Sequence, residues 1–150
     1  MLRLAIEHYR KTYPNAENVI QRYKYWSLRI SPDQRTLFRC IALLDREDAI
    51  MDPEALTSAE QEEFWHKIVP AYESVLNQLA FPERCRYLWD SNPGQDGDRG
   101  HWHMIPSYSG PREWGGMLFD DSTTLPEHEE QLALPRLRLI QHRDAIARGL

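Results

Sequence analysis

His101 and His103 are the residues whose types and spacing most clearly allow chemistry. They stand two apart in His101-Trp102-His103-Met104-Ile105-Pro106, directly after the polar, glycine-rich run from Asp90 to Gly100. Side chains alternate along a strand, so His101, His103 and Ile105 share one face, while Trp102 and Met104 share the other. Two imidazoles then project together at the mouth of a loop. Imidazole titrates near neutrality. One ring nitrogen can attack a phosphorus while the other gives its proton to a carbonyl, and the second imidazole hydrogen-bonds the phosphate. A solvated strand face shows the same alternation, so the pattern alone leaves both readings open. A zinc site needs one or two further ligands. Asp96, Asp98 and His128 are available, but no spacing singles them out, and no metal is expected. His8, His66 and His142 lie in helix-like, charged stretches and read as surface residues. No Gly-x-x-x-x-Gly-Lys, His-Glu-x-x-His or Gly-x-Ser-x-Gly motif occurs.

The elements that must position the pair are read from pattern. Residues 2–12 are expected to form a short helix, broken at Pro14-Asn15. Val19 to Ile30 reads as strand, with room for a bend into two, and Thr36 to Leu44 as a central strand. Thr57 and Glu60 form a capping box opening a helix to Ala80. Its buried face is Phe64, Ile68, Tyr72, Val75, Leu76 and Leu79, and Pro70 should kink it. Arg84 to Trp89 and His101 to Tyr108 are strands. Pro135 to Arg148 is a second helix, with Leu137, Ile140 and Ile146 as its apolar side. This order suits an α+β fold, an antiparallel sheet with helices on one face.

Bulk properties narrow the function classes. With 150 residues, 41% hydrophobic and 27% charged, the chain reads as one globular domain, residues 1–150. A net charge of −5 gives no footprint for duplex nucleic acid or an anionic membrane. No apolar run reaches the length of a membrane span, and the first residues lack a signal-peptide core. A cytoplasmic location is the default expectation. Cys40 and Cys85 lie in apolar stretches and are expected to be buried, reduced thiols.

The segment His101-Trp102-His103-Met104-Ile105-Pro106-Ser107-Tyr108 resembles the signature strand of the histidine triad (HIT) superfamily, His-φ-His-φ-His-φ-φ with φ apolar. Ser109-Gly110-Pro111-Arg112-Glu113-Trp114-Gly115-Gly116-Met117-Leu118-Phe119-Asp120-Asp121 is similar to the segment after that strand in small bacterial HIT-like proteins. Tyr25-Trp26-Ser27-Leu28 and Gln34-Arg35-Thr36-Leu37 are similar to their first strand pair. The resemblance covers about residues 19–121, leaving 122–150 as a C-terminal extension.

The resemblance implies a five-stranded antiparallel sheet, a main helix between strands, a C-terminal helical extension and commonly a homodimer. It implies a nucleotide or other phosphorylated small molecule as partner. The chemistry is hydrolysis or transfer at the α-phosphate, and no cofactor is implied. The nucleophile's role carries over to His101, and holding the phosphate to His103. Arg99 stands at the first triad position, Gly100 replaces an apolar residue and Ser107 replaces the usual arginine after the proline. Arginine is no acceptor, but it can contact phosphate. Asn92, Gln95, Arg99, Ser107 and Arg112 are the further phosphate or nucleotide contacts expected; for Asn92 and Gln95 a turn role is open, and for Arg112 a structural ion pair. The alternative function is a non-catalytic HIT-like module binding a nucleotide or a protein. Trp65, Tyr72, Trp89 and Trp114 add a physical reason for a dimer, being more aromatic surface than one helix and a small sheet cover.

Overall fold

β-branched and aromatic residues between Val19 and Ile30 favour a pleated backbone. In the computed structural model they form two strands, β1 (Val19–Arg22) and β2 (Trp26–Ile30). The Tyr23 N–H closes the turn between them on the Trp26 carbonyl at 2.7 Å. The structure describes residues 15–46, 48, 50–91, 99–120, 131 and 134–150. The helix expected at residues 2–12 lies outside the described residues.

Three more strands complete the sheet: β3 (Cys40–Leu44), β4 (Arg84–Asp90) and β5 (His101–Ser107). Every pairing is antiparallel and the order is β1-β2-β3-β5-β4. β3 is central, as its apolar run predicts. It starts at Cys40 rather than Thr36 because the chain ahead is wound into a turn around Gln34. The buried Gln34 amide donates to the carbonyls of Ser31 at 2.8 Å and Arg39 at 2.9 Å, and accepts the Phe38 N–H at 2.8 Å. Phe38 is left-handed at φ 66°, a conformation a strand residue does not adopt.

One face of the sheet is the core. Trp26, Leu28 and Ile30, then Leu44, Ala42 and Cys40, then Trp102 and Met104 stand in register across it. The main helix covers this face. It runs as α1 (Ser58–Glu63), one wide π turn at Phe64–Ile68, and α2 (Val69–Leu79). Both bonds of the expected capping box are present, Glu60 N–H to Thr57 Oγ1 at 3.1 Å and Thr57 N–H to Glu60 Oε1 at 2.8 Å. Pro70 offers no N–H and its ring crowds the carbonyl four residues back. The helix answers by widening: the Val69 N–H reaches the Phe64 carbonyl, five residues back. The rings of Phe64 and Trp102 stack at 5.2 Å, and the buried Tyr72 hydroxyl donates to the Phe38 carbonyl at 2.8 Å.

The chain ends in α3 (Arg136–Gly149), packed on α2, β1 and β2. Its buried face is Leu139, His142, Ala145 and Ile146. The expected stripe is therefore rotated, with Leu137 72% exposed. His142, read as a surface residue, is buried. Its Nδ1 donates to Gln34 Oε1 at 2.8 Å and its ring lies against Phe38, Trp114 and Phe119. The sequence pattern treats histidine as polar and does not register a ring whose polar atom has a buried amide partner. β6 (Arg112–Trp114) and β7 (Met117–Phe119) form a separate hairpin. Cys40 is buried and Cys85 half-buried, and both are free thiols. No described helix is long and apolar enough to cross a membrane.

Candidate functional site

β5 presents His101, His103 and Ile105 on the sheet face opposite the helices, as strand alternation predicts. His101 lies between Leu43 of β3 and Asp90 of β4, and His103 between Ile41 and Leu88. The two rings are nearly perpendicular, with centroids 4.7 Å apart and Nε2 atoms 3.2 Å apart. His101 is buried and His103 nearly so. Asp90 Oδ2 completes a triangle, 3.6 Å from His103 Nε2 and 3.9 Å from His101 Nε2. On the far side of His103, Arg39 Nη2 lies 3.1 Å from Nδ1.

Gly100 brings the chain into this strand. Its φ is 108°, and a Cβ there would stand 2.5 Å from the Trp89 ring and 3.0 Å from the Ile50 carbonyl. No side chain fits, which is why glycine stands where the signature has an apolar residue. Its carbonyl accepts the Leu44 N–H at 3.0 Å, tying the entry of β5 to the end of β3.

The His103 pKa is pushed down to about 4. Burial is the largest cause, followed by the Arg39 guanidinium and by His101; Asp90 opposes them. His103 is therefore neutral at pH 7.

The expected phosphate contacts divide sharply. Asn92 and Gln95 lie outside the described residues. Arg99 pairs with Asp45 at 3.8 Å. Ser107 shares the face of the histidines at the far end of β5, about 13 Å beyond His103 at ~3.3 Å per residue. Arg112 donates to the carbonyls of Ala80 at 2.8 Å and Phe81 at 3.3 Å, closing the end of the main helix, and lies over the Tyr108 ring. The structure thus brings His101 and His103 together and leaves Ser107 and Arg112 apart from them.

Two residues of the cluster do not stand out in the sequence. Asp90 follows the alternation of β4 one residue beyond the expected strand end, and pairing that strand with the histidine strand would have placed it opposite His101. Arg39 carries no such signal, since its approach depends on the left-handed turn at Phe38.

The Asp90, His101 and His103 ligand atoms also have the spacing of a metal site. A point equidistant from the three lies about 2.1 Å from each, inside the zinc–ligand range of roughly 2.0–2.2 Å. The Arg39 contact argues against it. Coordination uses the Nε2 lone pair of His103 and so puts the ring proton on Nδ1, where Arg39 also presents a donor.

The strand order, the main helix ahead of β4 and the histidine strand set between β3 and β4 together specify an architecture. A histidine triad protein of Bradyrhizobium japonicum matches it with a TM-score of 0.59 at 14% identity, over 87% of this chain and 88% of that one. This chain has the histidine triad fold. A histidine triad (HIT) protein of Sinorhizobium meliloti matches with a TM-score of 0.57 at 17% identity, over 88% of both chains. A hypothetical histidine triad nucleotide-binding protein of Sulfolobus tokodaii matches with a TM-score of 0.51 at 12% identity, over 86% of this chain and 83% of that one. No protein-family model matches the chain, and no curated protein does. At these identities the likeness is one of fold. The α+β expectation of a five-stranded antiparallel sheet, a main helix between strands and a C-terminal helix is borne out.

Proposed function

We propose that the chain is a HIT-type nucleotide hydrolase or nucleotidyl transferase whose nucleophile is His101. The observation that carries this reading is the pair of imidazoles on one strand face with converging Nε2 atoms. His101 Nε2 attacks the α-phosphorus, the bond from phosphorus to the leaving-group oxygen breaks, and that oxygen departs with the electron pair. Water or another acceptor then attacks the nucleotidyl-histidine, breaking the P–N bond and restoring the imidazole. His103, neutral at pH 7, donates a hydrogen bond to a phosphate oxygen as charge builds there. The Sulfolobus protein, a hypothetical nucleotide-binding one, supports the substrate class.

The test separates the two roles. His101→Ala should abolish turnover of any nucleotide the wild type cleaves, while His103→Ala should lower kcat by about a hundredfold. Unchanged turnover in His101→Ala would remove the mechanism.

A second reading is a non-catalytic module, and Arg99 favours it. A fixed cation stands at the first triad position, engaged with Asp45, and suits holding an anion better than activating a nucleophile. Binding of mono- and dinucleotides without product on prolonged incubation would select this reading.

Assembly as a homodimer belongs to the same proposal. The aromatic argument from sequence loses weight, because Tyr72 is fully buried and Trp89 and Trp114 pack within the chain. What supports pairing is the edge strand β4, partnered among the described residues by β5 alone, with Leu88 exposed on the site face. A mass near 17.7 kDa that persists at high micromolar concentration would exclude it.

A further inference from the structure

Arg39 lies outside every residue the signature strand names, and its surroundings are built to aim it. Phe38, immediately before it, is held left-handed at φ 66° by its N–H on Gln34 Oε1 and by the Tyr72 hydroxyl on its carbonyl. Strain of this kind persists only where neighbours over-determine it. Asp33, a buried carboxylate, takes Arg39 Nη1 on Oδ2 at 3.3 Å, and Arg35 spans both oxygens of the same carboxylate, Nη2 on Oδ2 at 2.9 Å and Nε on Oδ1 at 3.0 Å. The outcome is a guanidinium with one end anchored and Nη2 set against His103.

A guanidinium has donors and no acceptor, and it keeps its charge. Its 3.1 Å contact with His103 Nδ1 is attractive only when Nδ1 offers a lone pair. The proton of the neutral ring then sits on Nε2, facing His101 Nε2 at 3.2 Å and Asp90 Oδ2 at 3.6 Å. Two Nε2 atoms at that separation cannot both carry hydrogen, so His101 Nε2 is the acceptor. We propose that Arg39, anchored by Asp33, is the positioning residue of this site: it holds His103 as the Nε2–H tautomer and so leaves the His101 Nε2 lone pair as the attacking group.

Among the described residues, the charged and titratable groups facing His103 are Arg39 from the entry to β3, His101 from its own strand and Asp90 from β4. Protonating His103 would set a second cation against Arg39, in line with its depressed pKa. For its chemical use the inference rests on the proposed function, since the tautomer distributes the roles of donor and nucleophile. It also accounts for a site lacking the first triad histidine: support comes from the turn that enters the neighbouring strand.

Long-range proton–nitrogen NMR of the imidazole rings tests this without a nucleotide. In the wild-type chain His103 should show a protonated Nε2 and an unprotonated Nδ1, and stay neutral down to about pH 5. Arg39→Met should release the tautomer preference and raise the His103 midpoint by about one unit, and Arg39→Lys, which keeps a cationic donor, should restore both. Wild-type His103 with hydrogen on Nδ1 would overturn the proposal whether or not the variants fold. So would micromolar zinc binding through His101 and His103, which that tautomer opposes. Failure of every nucleotide to bind or react would sink the proposed function and leave the tautomer result standing.

Discussion

Two histidines in this molecule share a depressed pKa and differ in everything else. His103, on the open face of β5, and His142, under the C-terminal helix, are both pushed down to about 4, chiefly by burial. Around His142 stand three aromatic rings and the Gln34 amide, which takes its one donated hydrogen bond. Around His103 stand a guanidinium, a second imidazole and a carboxylate. The first arrangement is satisfied and closed. The second has a lone pair and a proton in reach of each other beside a half-exposed acid. Burial alone therefore does not mark a site; the chemistry of the neighbours does.

The contrast is most readily destroyed at the entry to β5. Gly100→Ala puts a methyl group into the Trp89 ring at a backbone angle that disfavours side chains. It should destabilise the fold by roughly 2–4 kcal/mol and displace His101, which denaturant melts and the imidazole spectra would report. An effect below about 0.5 kcal/mol would mean that the loop shifts freely and that the pair is less fixed than its contacts imply.

Acid stability probes the helix side. His142 has a folded pKa of about 4, below the unfolded value near 6.5. In that window the unfolded chain binds more protons, so stability falls as pH drops from about 6.5 to 4. The His142 contribution is on the order of 3 kcal/mol, and His103 adds a loss of the same sign. His142→Gln, which keeps an amide donor for Gln34, should flatten part of that slope and leave nucleotide chemistry unchanged. A slope unaltered in the variant would show that His142 is not held neutral.

The smallest effect is expected at Arg112. Its bonds to the Ala80 and Phe81 carbonyls are partly exposed, so Arg112→Ala should cost about 1 kcal/mol in thermal or denaturant melts, with nucleotide affinity unchanged. A tenfold loss of affinity without loss of stability would return Arg112 to the site.

Much of the fold is legible where one local rule acts alone. The capping box at Thr57 and Glu60, the alternation of Arg84 to Trp89 and the apolar run Cys40 to Leu44 each specify their element without help from distant residues. The misreadings fall where a distant partner decides. Leu37 and Phe38 read as strand, but Gln34 and Tyr72 bend them into a turn. Leu137 and His142 exchange places because His142 has Gln34 to satisfy it. The same limit applies to the site: His101 and His103 declare themselves by spacing two apart, while Asp90 arrives through strand register and Arg39 through a strained turn.

The chemistry proposed for this face turns on His101 Nε2 being the attacking atom. Wild-type protein can be mixed with nucleoside phosphoramidates and dinucleoside polyphosphates, quenched in alkaline denaturant and weighed intact. The expected result is an alkali-stable adduct of one nucleoside monophosphate, mapped to His101 and missing from His101→Ala, with turnover lost in the same variant. Turnover persisting at the wild-type rate in His101→Ala, or an adduct mapped to any other side chain, would contradict it.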